Sequence, residues 1–577
     1  MNMRILATVI VATSFATSSA PVNVFGRRAV APVAPVPGAC SRPAAGSIVR
    51  DAPSLSSVNG VLRVNFSYQT RTDADGRTLF CFMTPAGLQN PTLHVHPGDH
   101  LIVTVTNNVP ASPGMAMAMT GPQCGAATMT PSSLNIHYHG TNTSPTCGQD
   151  EVIHTIINSG QTFQYDLAFP TNEPPGLYWY HPHIHGIAEP AVQGGASGAI
   201  VVEGLESVQP AVAGMRQRVL MIRDQTVAGN PTPGGAVPAW DLSLNFVPIA
   251  YPALTPAVIQ MLTGDRELWR VSNSSSDTIL DLEFDVDGQP QVLQIVGFDG
   301  VPAGSQDGTR QGKLVPATHL LIPTAGRVEF IVAAPPRNAR NARLVTRAIN
   351  TGPLGDNDTQ RTLATIQTVS SVTTADNAVR VSSVFSTPGP QRFEGLRDAT
   401  PTTKRTLYFS EVVSDPTDPA SPTNFFITVD GATPQLFDPN NPPAIVTTQG
   451  SVEDWTIENR AGENHEFHMH QIHFLVLSQD NFQINGSTPV AEQNGQFMDM
   501  IQVPFWDGNV AHPYPSVTLR MDFRGPDVGD FVYHCHILGH EDNGMMAIIR
   551  VLPAGRSATS TKGAVPVKSA QASAPRR

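Results

Sequence analysis

The most distinctive residues of the chain are a cysteine between two histidines, followed by a third histidine and a methionine. The stretch runs from His534 to Met545 and reads His-Cys-His-x-x-x-His-x-x-x-x-Met. A thiolate combined with imidazoles and a weak axial thioether is the ligand set of a blue-copper electron-transfer site. In an extended strand neighbouring side chains point to opposite faces, so His534 and His536 face one way and Cys535 the other. The tripeptide is therefore predicted to touch two metal sites and to join them through covalent bonds.

Three further clusters of histidines have the spacing of metal ligands. Each places two histidines one residue apart, which in a strand puts both side chains on the same face. A single pair of this kind is a weak signal, but four clusters near the two ends of the chain indicate one multi-metal site built from both ends. The three further clusters are His137 and His139, His181 and His183, and His465, His468 and His470.

Strand parity divides these ligands between two sites. His465 has the opposite parity to His468 and His470, just as Cys535 has the opposite parity to its neighbours. The pattern predicts eight histidines for a three-copper cluster at a domain interface. A separate copper ion would be bound by His465, Cys535, His540 and Met545.

An internal repeat predicts the elements that position the ligands. Three stretches, 98–107, 264–273 and 450–459, each begin with glycine, continue as alternating apolar residues and end on asparagine. Short β-branched runs separated by Gly, Pro, Asn and Asp surround them, with little helical periodicity. We therefore predict an all-β chain of three consecutive β-sandwich domains, at 40–206, 214–396 and 403–553. The histidine clusters fall in the first and third of these.

Length and charge narrow the class of protein. The chain has 577 residues, enough for several domains, and its formal net charge of −12 argues against nucleic acid as a partner. Apolar stretches are too short to span a membrane. A basic residue followed by a short apolar stretch indicates an export signal over residues 1–20, whose cleavage site stays open. Residues 554–577 include basic residues but no acidic ones, so we expect a disordered tail.

The five cysteines are typical of an exported protein. With Cys535 assigned to copper, an even number remains, and these allow three disulfide pairings. Proximity in the sequence favours Cys40–Cys81 together with Cys124–Cys147. Disulfides form in oxidising compartments, so we expect the chain in the periplasm or outside the cell.

Taken together, the four clusters resemble the signatures of the multicopper oxidases, three-domain enzymes of the laccase and copper-efflux-oxidase kind. The matching motifs are His-x-His-Gly, His-x-His after Tyr-Trp-Tyr, His-x-x-His-x-His, and the motif that ends on Met545. Supporting matches run along residues 91–551. The resemblance implies cupredoxin-like Greek-key domains, an oxidase with dioxygen as acceptor, and four copper ions: one type 1, one type 2 and two type 3.

The resemblance also implies which residues bind each copper. It assigns His137 and His468 to type 2 copper; His139, His181 and His536 to one type 3 copper; His183, His470 and His534 to the other; and His465, Cys535 and His540, with axial Met545, to type 1 copper. Two carboxyl groups would supply protons or support the cluster, Glu541 and Asp150. The alternative for both is a solvated loop carboxylate.

Two positions depart from the family pattern. Tyr138 in the first cluster stands where many members have tryptophan, and we expect this to change packing and not the metal site. The third cluster has Glu466 directly after its first histidine, where the family usually has proline. This carboxylate would lie beside the ligand that faces the donor and would favour cationic donors. The alternative is again a solvated side chain.

The sequence leaves the chemical class of the electron donor open. Phenols and aromatic amines, the donors of laccases, are our leading hypothesis. The runner-up is oxidation of cuprous or other metal ions in copper resistance, for which the thioethers of Met115, Met117 and Met119 would suit Cu(I). A third alternative is a non-catalytic copper-binding coat protein, although storage needs no cysteine bridge between two sites. We expect a small-molecule donor and dioxygen as the partners. The sequence leaves the oligomeric state open, and we favour a monomer.

Overall fold

The computed structural model describes residues 38–111, 124–125, 128–371, 380–385, 389, 391–415 and 421–556. The predicted export signal, the run from Met115 to Met119 and the predicted tail beyond residue 556 lie outside these ranges. Within them, no helix has the length and apolar character needed to cross a membrane.

The first part of the chain folds as two packed sheets. One sheet has the order β3-β2-β5-β7 and the other the order β1-β4-β9-β8-β6. The strands are β1 (Ser54–Ser56), β2 (Val61–Thr72), β3 (Thr78–Met83), β4 (Thr92–Val95), β5 (His100–Asn107), β6 (His137–His139), β7 (Thr162–Ala168), β8 (Gly176–His181) and β9 (Gly198–Val202). The short helices α1 (Ala188–Gln193) and α2 (Leu205–Val208) and the 3₁₀ turn Pro210–Val212 follow the second histidine cluster.

The middle part repeats this arrangement. One of its sheets runs β12-β11-β10-β14-β21-β17-β18, with β19 paired to β17, and the other runs β13-β23-β22-β15-β16, with β20 paired to β15. The strands are β10 (Arg216–Thr226), β11 (Trp240–Leu244), β12 (Val247–Ile249), β13 (Ala257–Leu262), β14 (Arg266–Asn273), β15 (Leu280–Val286), β16 (Gln289–Pro290), β17 (Leu293–Phe298), β18 (Val301–Pro302), β19 (Val315–Ala317), β20 (Leu320–Ile322), β21 (Arg327–Ala333), β22 (Ala342–Thr346) and β23 (Arg361–Val369).

The last part contains the third and fourth clusters. Its sheets have the orders β25-β24-β27-β32-β29-β30 and β26-β34-β33-β28-β31. The strands are β24 (Thr403–Val413), β25 (Thr423–Val429), β26 (Ile445–Thr448), β27 (Val452–Asn459), β28 (His465–Met469), β29 (Phe474–Asp480), β30 (Phe497–Met498), β31 (Met500–Val503), β32 (Ser516–Asp522), β33 (Gly529–Cys535) and β34 (Met546–Leu552). Helix α3 (Leu538–Asp542) joins β33 to β34, and 3₁₀ turns cover Phe482–Asn485 and Ala491–Gln493.

The predicted all-β fold is confirmed. In the described residues the sheet ladders stay within the three parts of the chain, apart from isolated bridges such as that between Ile48 and Val258. The boundaries 40–206, 214–396 and 403–553 remain a prediction.

The three repeat stretches become equivalent strands, β5, β14 and β27. Each pairs in parallel with an earlier strand of its sheet and antiparallel with a later one. The asparagine that ends each strand uses its side-chain amide in the same way. Asn107, Asn273 and Asn459 each donate hydrogen bonds to two backbone carbonyls of neighbouring segments, at least one of which is a loop. The repeated asparagine therefore connects the end of each repeat strand to the loops beside it.

Both favoured disulfides are present. Cys40 pairs with Cys81 and Cys124 with Cys147, closing 41 and 23 residues of sequence respectively, while Cys535 is free and buried. The first bridge joins the start of the described chain to β3, inside a small buried cluster with Leu79 and Met83.

We expect replacement of Cys40 and Cys81 together by alanine to lower the free energy of unfolding by about 2–4 kcal/mol, because the bridge restricts the unfolded chain. Denaturation of the metal-free protein in guanidinium would measure the change. The matched control is Cys124→Ala with Cys147→Ala, whose shorter loop should give a somewhat smaller loss. An unchanged midpoint in both variants would contradict this account.

Candidate metal centre

Two pairs of neighbouring strands bring the histidine clusters together. In the first part of the chain β6 pairs with β8, so that His137 lies opposite His181. In the last part β28 pairs with β33, so that His468 lies opposite His534. Because side chains alternate along each strand, every pair of strands presents several imidazoles on one face.

The side chains of these strands and of the residues beside them meet in groups of possible metal ligands, including four that consist of histidine and cysteine alone. Within each group the ligand atoms lie within 4.8 Å of one another, and all the residues are buried. The four are His137, His139 and His468; His139, His181 and His536; His183, His470 and His534; and His465, Cys535 and His540. Three of the groups mix residues from the first and last parts of the chain, and the fourth comes from the last part alone. The four motifs therefore meet in one region of the fold. The assignment of each histidine to a particular copper stays a prediction, because His139 belongs to two of these groups.

The group of His183, His470 and His534 has the clearest geometry. The three Nε2 atoms lie 3.1–3.2 Å from one another. Nitrogens bound at about 2.0 Å to a tetrahedral metal ion would lie about 3.3 Å apart. Three lone pairs at this separation repel one another unless a cation lies between them, so the arrangement fits a metal ion.

Asp150 sets the orientation of His137. Both carboxylate oxygens lie 3.0 Å from His137 Nδ1, and the backbone N–H of Tyr138 and the side-chain amide of Gln471 also donate to this carboxylate. The Nδ1–H of His137 is thereby engaged, and its Nε2 is buried with no hydrogen-bond partner. Such a bond selects the tautomer that leaves the other nitrogen free for a metal. Asp150 is 1% exposed, so the solvated alternative is wrong.

Asp499 orients two more histidines. Its carboxylate accepts from His139 Nε2 at 3.4 Å, and its backbone carbonyl accepts from His468 Nδ1 at 2.9 Å. His139 Nδ1 and His468 Nε2 are left buried and without partners. The same carboxylate accepts two hydrogen bonds from Arg327 of the middle part, at 2.6 and 2.5 Å.

Arg327 connects all three parts of the chain. It is 1% exposed and also donates to the carbonyls of Leu177 in the first part and of Ala325 and Asp299 in the middle part. Motif analysis assigned no role to Arg327 or to Asp499. The sequence feature that could have indicated Arg327 is a pair of charged residues, Arg327 and Glu329, that alternate with apolar residues in a β-branched strand.

The sulfur-containing group lies on the opposite face of β28 and β33. Cys535 Sγ is 3.7 Å from His465 Nδ1 and 3.8 Å from His540 Nδ1, and the two nitrogens are 3.0 Å apart. Met545 is fully buried, and its carbonyl accepts from the N–H of Cys535 at 3.0 Å. These contacts suit a mononuclear metal site with one thiolate.

Burial controls the charge of the ligands. It lowers the pKa of the imidazoles well below the usual range, with the neighbouring histidines adding to the effect, so they remain neutral and keep a free lone pair. Burial also raises the pKa of the Cys535 thiol well above its usual value. A thiolate in this position therefore requires a neighbouring cation, which a bound metal ion supplies.

Glu541 lies behind two of the imidazoles. Its Oε1 is 3.6 Å from His183 Nδ1 and its Oε2 is 3.2 Å from His534 Nδ1. The side chain is fully buried, and burial raises its pKa well above the usual range, with Asp542 adding to the effect. The solvated alternative is wrong for Glu541 as well, because its side chain is buried. This carboxyl group can hold a proton beside the histidines.

The expectation for Glu466 is wrong in both its forms. The side chain is fully buried and does not face solvent or a donor. Its carboxylate accepts from the backbone N–H of Thr324 in the middle part, at 3.0 and 2.9 Å, and contacts the Thr324 hydroxyl. The sequence pattern could not place it, because its partner lies in a different part of the chain.

Comparison with known proteins shows similarity to the multicopper oxidases. Two family models described as multicopper oxidase match residues 126–207 and 410–555. The multicopper oxidase mco of Staphylococcus haemolyticus is 22% identical over 471 residues, which cover 80% of this chain and 82% of that protein.

Solved structures show the same fold. A multicopper oxidase from Campylobacter jejuni, described as a metallo-oxidase, matches with a TM-score of 0.62 at 21% identity, covering 89% of this chain and 96% of that one. A laccase-like multicopper oxidase from Ochrobactrum sp., described as active on lignin model compounds, matches with a TM-score of 0.58 at 18% identity, covering 87% of this chain and 99% of that one. At these identities the likeness extends to the fold alone.

We expect Asp499→Asn to lower the free energy of unfolding of the metal-free protein by about 3–5 kcal/mol, because Arg327 would stay buried without its main carboxylate partner. Guanidinium denaturation measures this. The control is Asp530→Asn, which breaks a pair with Arg550 whose side chains are 35% and 42% exposed. That loss should be below about 1 kcal/mol. Equal losses in the two variants would show that Asp499 does not connect the parts of the chain.

Proposed function

We propose that the chain is a multicopper oxidase that takes single electrons from phenolic or aromatic-amine donors and reduces dioxygen to water, as its similarity to that family supports. The observation that carries the proposal is the position of Cys535. Its sulfur contacts His465 and His540, while the adjacent His534 and His536 belong to two different histidine groups. Covalent bonds thus connect a mononuclear site to a multinuclear one.

The proposal includes four copper ions. We assign His465, Cys535, His540 and Met545 to the type 1 ion, His137 and His468 to the type 2 ion, His139, His181 and His536 to one type 3 ion, and His183, His470 and His534 to the other. The unpartnered ring nitrogens and their close approach support this assignment. When bound, copper supplies one-electron acceptance on the donor side and reduction of dioxygen on the other.

Two carboxyl groups have separate roles in the proposal. Glu541 holds a proton beside His183 and His534, so it is the proton donor for water formation. Asp150 accepts from His137 Nδ1 and positions that ring. The burial of both groups strengthens these contacts.

The donor meets the protein at His540. Its side chain is 11% exposed, whereas His465 is fully buried, and its ring stacks on Phe425 at 4.2 Å between centroids. A flat aromatic donor can approach this edge of the imidazole. The aromatic neighbour supports the phenol and aromatic-amine hypothesis.

Carboxyl groups beside His540 favour a second candidate, oxidation of metal ions. Glu463 Oε1 lies 3.5 Å from His540 Nε2, Glu463 is hydrogen bonded to Glu411, and Asp356 adds to the electrostatic field at this imidazole. Negative charge at the donor edge attracts cations, whether metal ions or protonated amines. The metallo-oxidase of C. jejuni and the lignin-active enzyme of Ochrobactrum show that the fold is found with both kinds of donor.

We further propose that the chain is exported to the periplasm or beyond and acts as a monomer on small molecules. The two disulfides support export, since such bonds persist in oxidising compartments. The net charge of −12 supports a partner other than nucleic acid.

We expect the copper-loaded protein to be blue, and Cys535→Ser to abolish both the colour and oxygen consumption while keeping most of the remaining copper. A serine hydroxyl cannot replace the thiolate whose charge transfer to copper gives the colour. Absorbance, copper content and oxygen uptake measure the three quantities. The control His319→Gln changes a half-exposed histidine outside the ligand groups and should remain blue. A blue Cys535→Ser protein would refute the proposal.

We expect Glu411→Gln combined with Glu463→Gln to raise KM at pH 8 about fivefold for a cationic aromatic diamine that carries a quaternary ammonium group, and to leave a neutral phenol within twofold. Burial raises the pKa of Glu463 to about 7 and that of Glu411 to about 8, so the hydrogen-bonded pair holds at least one negative charge at pH 8. Removing that charge from the donor edge costs on the order of 1 kcal/mol of attraction in the high dielectric at the surface. Steady-state oxygen uptake at low ionic strength measures both, with the exposed Glu394→Gln as control. If KM rose tenfold more for Fe(II) or Cu(I) than for the diamine, metal ions would instead be the primary donors.

A further inference from the structure

Thr324 is the point at which the middle part of the chain meets the ligand-bearing strands. It lies in the turn between β20 and β21, and its side chain is fully buried. The next residue, Ala325, has a φ of 62°, a left-handed backbone conformation that is unusual for alanine. This turn directs the N–H and hydroxyl of Thr324 toward β28 and the end of β33.

The threonine contacts two separate backbone segments. Its N–H and hydroxyl both contact the Glu466 carboxylate, and the hydroxyl also lies 2.6 Å from the carbonyl oxygen of His536. One side chain of the middle part thus contacts both the residue after His465 and the residue after Cys535.

Glu466 carries this contact to the cysteine sulfur. Its backbone N–H donates to Cys535 Sγ at 3.4 Å, and its carbonyl accepts from the N–H of His536 at 3.1 Å. Hydrogen bonds to the ligand sulfur tune the redox potential of a copper–thiolate site.

We propose that Thr324 and Glu466 form a clamp between the middle and last parts of the chain that positions the Cys535–His536 peptide for electron transfer. The inference rests on the proposed function, because it assigns these two positioning residues to the link between the two copper sites. The clamp fixes three groups at once: the N–H of Glu466 that donates to Cys535 Sγ, the carbonyl of His536, and the hydrogen bond from the N–H of His536 to the Glu466 carbonyl.

The polar nature of the contact supports a positioning role over simple packing. A fully buried carboxylate carries a desolvation penalty, and an apolar side chain of similar size would fill the same space more cheaply. Apolar packing is not directional, whereas hydrogen bonds hold the peptide in one orientation. Glu466, which makes this polar contact with Thr324, is also the residue whose backbone N–H donates to Cys535 Sγ.

The first test needs no copper. In the metal-free protein we expect Thr324→Val to speed hydrogen–deuterium exchange at least fivefold in peptides that cover residues 535–538. Thr324→Ser, which keeps the hydroxyl, should restore slow exchange. The control is Thr346→Val, which removes a buried hydroxyl that accepts from the N–H of Asp281 within the middle part. If Thr324→Val does not fold, Thr324→Ala replaces it in the same comparison.

The second test separates positioning from stability in the copper-loaded protein. With excess donor and no oxygen, bleaching of the blue band should stay within twofold of the parent in Thr324→Val. On mixing the reduced protein with oxygen, the return of the blue band should be at least fivefold slower and its maximum shifted, with recovery in Thr324→Ser.

Unchanged exchange, or blue-band return as fast as in the parent, would overturn the clamp even if Thr324→Val had a lower melting temperature. A parent protein that is neither blue nor consumes oxygen would refute the proposed function instead. The exchange experiment would still decide whether Thr324 holds the Cys535–His536 peptide.

Discussion

The whole arrangement depends on neutral imidazoles that converge in a space closed to water. The Nε2 atoms of His183, His470 and His534 lie 3.1–3.2 Å apart, and other ring nitrogens nearby have no hydrogen-bond partner. Burial keeps these rings uncharged, so their lone pairs are available but repel one another. Only a cation balances such a cluster. The strands from both ends of the chain must therefore hold the rings in place against this repulsion.

Three of the rings are oriented by a hydrogen bond at the nitrogen that faces away from the other histidines. Asp150 engages His137 through Nδ1, and Asp499 engages His139 through its carboxylate and His468 through its carbonyl. Each bond selects one tautomer and directs the remaining nitrogen inward. The ion pair from Arg327 holds Asp499 in turn, so a residue of the middle part stabilises the orientation of rings contributed by the other two.

The sequence predicted what depends on local order along the strand. Alternation placed His468 and His470 apart from His465, and His534 and His536 apart from Cys535, and the repeat located β5, β14 and β27. It could not predict contacts between distant parts. Glu466 follows a ligand and so looked solvent-facing, yet its partner Thr324 lies 142 residues away. Such pairings depend on how the three domains pack against one another. The spacing of residues within a single motif does not predict that packing.

In its described residues the middle part contains none of the proposed copper ligands, yet it contacts the segments that carry them at several places. Besides Arg327 and Thr324, the Ser276 carbonyl accepts from Leu538 N, and the Asp277 carboxylate accepts from Gly539 N at the start of α3, the helix that contains His540 and Glu541. Each contact is a hydrogen bond or ion pair and not apolar packing alone, and only such directional contacts control the angle of a peptide or a ring. Electron transfer and metal binding depend on those angles. A domain without metal ligands can therefore be as necessary for the copper sites as the domains that supply them.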